Sequence, residues 1–319
     1  SHGLAALLVA ATAGPLLRDL LAAVIHPRGN LGPGAVAGLT LVAIAVFGFV
    51  GMSRPDREDD VKVEAPEYVR RLESERRVQY EMGLLSRMQL SLLPEKPPEV
   101  PGYEISVKTM LATEAGGDLY DFIVDTSGGL WIAAGDVAGH GYSCGIQQAM
   151  VKASLASLVK AGRGPGEILG EVDRVLRTLG PQRTFTSLAL LCLDPATGRG
   201  RIANAGHPYP ILLHEGRSTE LSVSGLPLGQ GPKRTYQELE VELPRGASLL
   251  IASDGLFEGP NGFDEPWGYE RPRAVLEGIG LFRRPAAAII EALLADFVLH
   301  TGGGPPADDT TLVVLKRAT

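Results

Sequence analysis

The sequence predicts an α+β domain built mainly on antiparallel sheets, preceded by a helical linker and an apolar N-terminal segment. Three observations predict it. Downstream of Pro101, short strand-like runs succeed one another at hairpin spacing, with Gly-rich turns and a few inserted helical stretches, a pattern of antiparallel pairing. A stretch rich in helix formers fills 66–93, and the proline cluster from Pro94 to Pro101 cannot continue it. The first fifty residues hold a disproportionate share of the apolar side chains. The 319 residues suit about two domains, and the expected division is a membrane portion at 1–52, a helical linker at 53–94 and one large domain at 95–319.

Ala35 to Met52 is an uncharged run just long enough to cross about 30 Å of hydrocarbon as a helix. Leu4 to Ile25 is also apolar but carries Pro15, Arg18 and Asp19, so it reads either as the other half of a transmembrane hairpin or as an interfacial helix. With no basic N-terminal segment and no initiator methionine, a cleaved signal peptide is not expected, and the chain reads as an excerpt of a longer protein. Arg54, Arg57, Lys62, Arg70, Arg71, Arg76 and Arg77 follow the span, against Arg28 alone in the loop before it. The positive-inside rule therefore places everything after Met52 in the cytoplasm. Val78, Leu85 and Leu92 recur every seven residues, with Met82 and Met88 between them, which gives the linker helix a short coiled-coil tendency and a candidate homodimer seam.

In the large domain, strands are expected at 103–110, 122–124, 130–134, 186–193, 200–204, 211–214, 248–252 and 310–315. Helices are expected at 145–160, 165–179 and 285–299, the last opening on Pro285. The Gly-rich segment at 302–304 reads as a flexible loop. A net charge of -7 argues against a nucleic-acid partner, since phosphate backbones attract basic surfaces. Cys144 and Cys192 have no metal or disulfide spacing around them and read as buried small apolar groups.

Chemistry concentrates in four acidic places: Asp118 and Asp121 after Gly116-Gly117, Asp136 in Gly-Asp-Val-Ala-Gly-His-Gly, Asp254 in Ser-Asp-Gly, and the pair Asp308-Asp309. Asp136 follows the apolar run LWIAA, Asp254 follows SLLIA and Asp308 precedes TLVVL, so each sits at a terminus of an expected core strand. Carboxylate oxygens without His or Cys select Mg²⁺ or Mn²⁺. The glycines let the backbone turn close to the ions, so that the Val137 carbonyl can join the ligands. Two ions roughly 3.5–4 Å apart can activate one water and hold a phosphoryl group in line. Any one of these motifs alone is an ordinary turn; their ordered recurrence at strand ends is the signal.

From about Glu81 to Leu315 the chain resembles the PPM-type phosphatases of the SpoIIE/RsbU branch, which regulate bacterial sigma factors by partner switching. The resemblance rests on QLSLLP at 89–94, VPGY at 100–103, GGDLYDF at 116–122, GDVAGHG at 135–141, ANAGHPYPILL at 203–213, GLPLG at 225–229, SDGLFEGPN at 253–261 and DDTTLVVL at 308–315. It implies an αββα sandwich of two antiparallel sheets with a two-metal centre, Mn²⁺ or Mg²⁺, at one end. By motif position it assigns ligation to Asp118, Asp136, the Val137 carbonyl, Asp254 and Asp308, with Asp309 and Asp121 as further candidates. Asp136 and Asp254 would carry catalysis through a metal-bridging hydroxide that attacks phosphoserine or phosphothreonine. The implied substrate is a phosphorylated STAS-domain anti-anti-sigma factor. Ala138 stands where the family often has Ser, and Glu114-Ala115 where Arg-Val is usual; neither departure removes a carboxylate. A non-catalytic module that sequesters a regulatory partner is the rival reading, and its expected mark, loss of the carboxylates, is absent.

His140 and His207 lie in Gly-His turns and read as structural hydrogen-bonding groups rather than general acids or bases, with His140 adjacent to the expected ligands. No Cys-x5-Arg loop or Gly-x4-Gly-Lys loop occurs, so covalent cysteine chemistry and nucleotide binding have no support.

Overall fold

The computed structural model describes residues 67–112, 116–139, 141–159, 162–181, 184–232 and 234–319, with isolated positions 38, 42 and 45. The expected span at 35–52, the apolar stretch at 4–25 and His140 lie outside the described residues, save those three positions. Among the described residues no helix is long and apolar enough to cross a membrane. The chain divides into two units between Arg71 and Leu72.

The linker helix α1 runs Glu67–Leu92 and stops two residues before Pro94. The side chains of Val78, Met82 and Leu85 are outside the described set, so the heptad seam is not described.

Ten strands follow: β1 (Tyr103–Met110), β2 (Asp118–Val124), β3 (Leu130–Val137), β4 (Thr186–Asp194), β5 (Arg199–Ala205), β6 (Ile211–His214), β7 (Arg217–Glu220), β8 (Glu238–Glu242), β9 (Ser248–Ala252) and β10 (Thr310–Arg317). They form two five-stranded antiparallel sheets, β1-β10-β9-β6-β7 and β2-β3-β4-β5-β8. The helices α2 (Tyr142–Val159) and α3 (Pro165–Leu179) pack on the second sheet. The helices α4 (Asp254–Glu258), α5 (Glu270–Leu276) and α6 (Ala286–Thr301) pack on the first.

Three apolar layers hold this sandwich. Leu130, Ile132 and Ala134 face Ile251 and Val313 between the sheets, whereas Leu119, Leu188 and Leu190 turn the other way onto Val151, Leu155, Ile168 and Val172 of the helices. Because both faces of β3 and β4 are covered, their sequences read as continuous apolar runs instead of alternating ones. Each fully buried Leu, Ile or Val contributes about 1.5–3 kcal/mol of burial. Helix α3 opens on Pro165, whose missing N–H costs nothing at that position, and buries the stripe Ile168, Leu169, Val172 and Leu176.

The expected strands and the three expected helices all form, most of them longer than read. Two strands and two short helices were not expected. β7 pairs with β6 through a two-residue turn at Glu215 (φ 51°) and Gly216 (φ 78°), the left-handed pair that a tight hairpin demands. β8 is an edge strand of sequence ELEVE in which only Val241 is buried, and its charge guards the sheet edge. The segment 302–304 is not simply a flexible loop, because Gly302 (φ 78°) and Gly303 (φ 77°) close the C-terminus of α6 by donating to the Val298 carbonyl.

Candidate metal centre

The two sheets bring their acidic ends together. On β2 and β3, Asp118 stands directly opposite Asp136 in the antiparallel register. Like charges in that position repel, so the pairing is unfavourable unless something cationic joins it. Asp254 begins α4 immediately after β9, and Asp308 and Asp309 lead into β10, the strand beside β9.

The electrostatics report the convergence. Burial first, then Asp254, Asp308 and Asp309, push the Asp136 carboxyl up to about 7. Burial, followed by the neighbouring Asp136 and Asp309, raises Asp118 well above the usual carboxylate range, although the Thr311 and Ser253 hydroxyls pull it back. Asp254 is raised by burial, then by Asp308 and Glu258. The groups acting most strongly on these three carboxyls include no lysine or arginine.

Each side chain is placed by its local backbone. Ser253 adopts the extended conformation of a helix N-cap (φ -72°, ψ 164°) yet does not cap α4 with its side chain. Its hydroxyl instead donates to Asp118 Oδ2 at 2.8 Å and accepts the Thr311 N–H at 2.9 Å. Asp118 Oδ1 is buried with no partner. Asp309 is buried, and its two oxygens accept the backbone N–H groups of Ala112 (2.9 Å) and Gly117 (2.8 Å), which ties the β1–β2 connection to β10. Asp308 is exposed and accepts the Asp309 N–H through Oδ1 at 2.8 Å. Gly117 has to be glycine: a methyl there would collide with Asp136 Oδ1 and come within 2.7 Å of the Val137 carbonyl oxygen. That carbonyl receives a weak approach from the buried Cys144 thiol at 3.7 Å.

Asp121 does not join the cluster. It is three residues from Asp118 on the same strand, hence on the opposite face, and it pairs with Lys152 of α2 at 3.1 Å. Lys152 also donates to the Tyr120 carbonyl (3.1 Å), and Gln148, one turn earlier, donates to the Asp118 carbonyl (2.8 Å), so α2 clamps the edge strand that carries Asp118.

His207 is buried, and its Nδ1 meets Ser187 Oγ at 3.0 Å; the same hydroxyl accepts the Asp136 N–H at 3.3 Å. Burial pushes the imidazole down to about 3, and the Ala252 carbonyl opposes this electrostatically without closing a hydrogen bond to Nε2. A neutral structural role follows. Burial likewise pushes the Cys144 thiol up to about 12, and Cys192, half-buried, up to about 11.

Sequence reasoning had not singled out Ser253, Ser187, Gln148 or Gln89. Gln89, buried near the end of α1, donates to the Gly116 carbonyl at 3.2 Å and so touches the Gly-Gly-Asp turn. Two of them carried a readable signal: Gln89 opens the QLSLLP motif, and Ser253 is a helix-capping residue directly before an acid.

The donor set fits a divalent cation: hard oxygens only, carboxyls whose proton affinity is raised by burial and by one another, and a buried carboxylate oxygen without a partner. Among the described residues no three His, Cys, Asp or Glu side chains already close around one point.

Comparison with known proteins agrees with this geometry. The family model for stage II sporulation protein E (SpoIIE) matches residues 126–318. The phosphoserine phosphatase RsbU of Bacillus subtilis is 27% identical over 250 residues, which cover 75% of this chain and 71% of RsbU. Among solved structures, the SiaA-PP2C domain of Pseudomonas aeruginosa superposes with a TM-score of 0.65 at 22% identity, covering 76% of this chain and 97% of that domain. The PP2C phosphatase domain of SpoIIE from Bacillus subtilis, with a fragment of its regulatory domain, gives 0.59 at 17% identity, covering 69% and 64%. The family match spans more than half of the chain, which therefore belongs to the SpoIIE family and is a protein serine/threonine phosphatase with the fold of the PP2C domains.

Proposed function

We propose that the domain removes phosphate from phosphoserine or phosphothreonine on a STAS-domain regulatory protein, using two divalent cations, Mn²⁺ or Mg²⁺. The observation that carries this reading is the gathering of Asp118, Asp136, Asp254 and Asp308 at one end of the sandwich, with no cationic side chain among the strongest influences on the first three and with Asp118 Oδ1 buried and unpartnered.

Asp118, Asp136, the Val137 carbonyl, Asp254 and Asp308 would hold the cations, which when bound lower the pKa of a water and neutralise phosphoryl charge. Asp309 serves better as a post than as a ligand, because both its oxygens already accept backbone N–H groups. Ser253 orients Asp118, and the glycines at 116 and 117 let the backbone approach. The STAS substrate is proposed from the likeness to RsbU and from the sequence motifs; a membrane anchor at 35–52, a cytoplasmic catalytic domain and a homodimer through α1 are proposed from sequence alone.

The test is phosphate release from a phosphoserine STAS-domain protein as Mn²⁺ is titrated, with the parent chain beside Asp136→Asn and Asp254→Asn. Release by the parent, abolished by chelation and lowered at least about 100-fold in either variant, is the expected result. Binding of the phosphoprotein without any release would instead favour the sequestering module.

A further inference from the structure

Between α4 and α5 the chain makes a hairpin whose order exceeds what its length requires. Pro260 pairs with Pro266 across it, and Asn261 accepts the N–H groups of Phe263 (2.8 Å) and Glu265 (3.1 Å) through Oδ1 while its Nδ2 donates to Glu265 Oε2 (2.9 Å). Asp264 takes the left-handed conformation (φ 61°) that turns the tip. The base is closed by Trp267 donating to the Gly259 carbonyl and Gly268 to the Phe257 carbonyl. Trp267 is buried edge-on against Phe297, and its Nε1 donates to Asp296. All this scaffolding presents Phe263, which is 86% exposed. A large aromatic ring held out in water on a pre-ordered tip contributes nothing to the fold.

The hairpin stands at the catalytic end of the molecule. Helix α6 starts at Ala286, whose N–H donates to Glu104 near the beginning of β1, and it finishes with His300 against the Glu265 carbonyl (3.0 Å). That second end of the sheet is where β1 finishes at Met110 and β10 begins beside Asp308 and Asp309. Tyr269, half-exposed, stacks on Phe257 of α4 at 4.6 Å between ring centres. Burial raises its phenol first, and Glu258 and Asp254 add to the rise, so the hairpin's base lies within electrostatic reach of the metal centre.

We propose that the 259–268 hairpin is a docking post for the folded phosphoprotein substrate, with Phe263 seated in an apolar socket of that protein while its phosphorylated residue reaches the carboxylate centre. The inference rests on the phosphatase reading above and adds to it the surface that selects the protein. Pre-ordering of the tip removes the entropy cost of fixing a loop on binding, and a single aromatic anchor can carry much of an interface's energy. Glu258, Asp264, Glu265 and Glu270 are all exposed around it, so the matching socket is bordered by lysine or arginine.

The experiment compares the full chain with Phe263→Ser and Phe263→Leu on two substrates, a phosphoserine STAS-domain protein and p-nitrophenyl phosphate, with saturating Mn²⁺. A rise of about tenfold or more in KM for the protein substrate, with kcat and p-nitrophenyl phosphate turnover unchanged and partial recovery in the leucine variant, is expected. An unchanged KM for the phosphoprotein overturns the proposal, as does an equal loss on both substrates or a change in oligomeric state that accounts for the loss. A parent inactive on both substrates overturns the phosphatase reading itself, and the docking post with it.

Discussion

At the scale of single residues the centre depends on atoms that are missing as much as on atoms that are present. Gly117 lies where a Cβ would overlap Asp136 Oδ1, so Gly117→Ala has to push apart the strands that hold Asp118 opposite Asp136. A displacement near 1 Å at a reacting centre costs on the order of 100-fold. Gly117→Ala is therefore expected to lower kcat/KM by about that factor and to weaken Mn²⁺ binding, read from the free-ion signal in electron paramagnetic resonance, while the folded content by circular dichroism stays close to the parent's. The carboxylates themselves were legible in the sequence because each accompanies a glycine and a strand end. Their supports were not. Ser253 meets Asp118 across 135 residues of chain, and Ser187 reaches the Asp136 amide across 51, contacts that no local pattern encodes. Asp121 misled for a related reason: proximity in sequence to Asp118 suggested a shared site, yet alternation along the strand turns it toward Lys152.

Elements were readable to the extent that their sequence pattern is strong. β1, β6, β9 and α3 match their expected limits, β6 and α3 being bounded on both sides by Gly, Pro or a charged residue, while β2 and β3 extend into the Gly-Asp motifs that look like turns. Strands β7 and β8 are short, polar and at sheet edges, so their place comes from pairing with β6 and β5 rather than from composition. The linker helix was legible as a helix, but its tie to the centre was not. Gln89 is buried and donates to the Gly116 carbonyl, one residue before the Gly117 amide that Asp309 holds. Replacing it by Ala leaves that carbonyl with only the weak approach of the Cys144 thiol at 3.6 Å, a cost of about 1–3 kcal/mol, and loosens the Gly-Gly-Asp turn. Gln89→Ala is expected to raise the Mn²⁺ concentration for half-maximal activity severalfold while leaving kcat at saturating Mn²⁺ within about twofold. An unaltered metal requirement would mean that α1 ends beside the centre without acting on it.

For the whole molecule, the fold places several carboxyls where they cannot all ionise without a cation, and stability must register that. Asp136 has a folded pKa of about 7 against an ordinary value of 3.8, so between those limits the folded state binds more protons than the unfolded chain. Folding stability from this group is accordingly present at low pH and is lost as pH rises from about 4 to about 7. Asp118 and Asp254, both raised, tilt the same way. His207 tilts oppositely: buried neutral with a pKa of about 3 against 6.5, it makes the fold less stable as pH falls through that interval. The raw curve for the metal-free protein is therefore shallow, and the carboxylate contribution is exposed by difference. Asp136→Asn, measured by thermal unfolding in the presence of a chelator, should be more stable than the parent near pH 7.5 and lose that advantage toward pH 4. Saturating Mn²⁺ should close the gap at pH 7.5 from the other side, by stabilising the parent much more than the variant, since a ligand raises stability only of the state that binds it. If the two proteins instead unfold in parallel across the pH range, with the same response to Mn²⁺, then Asp136 is neither strained by its neighbours nor a holder of the cation.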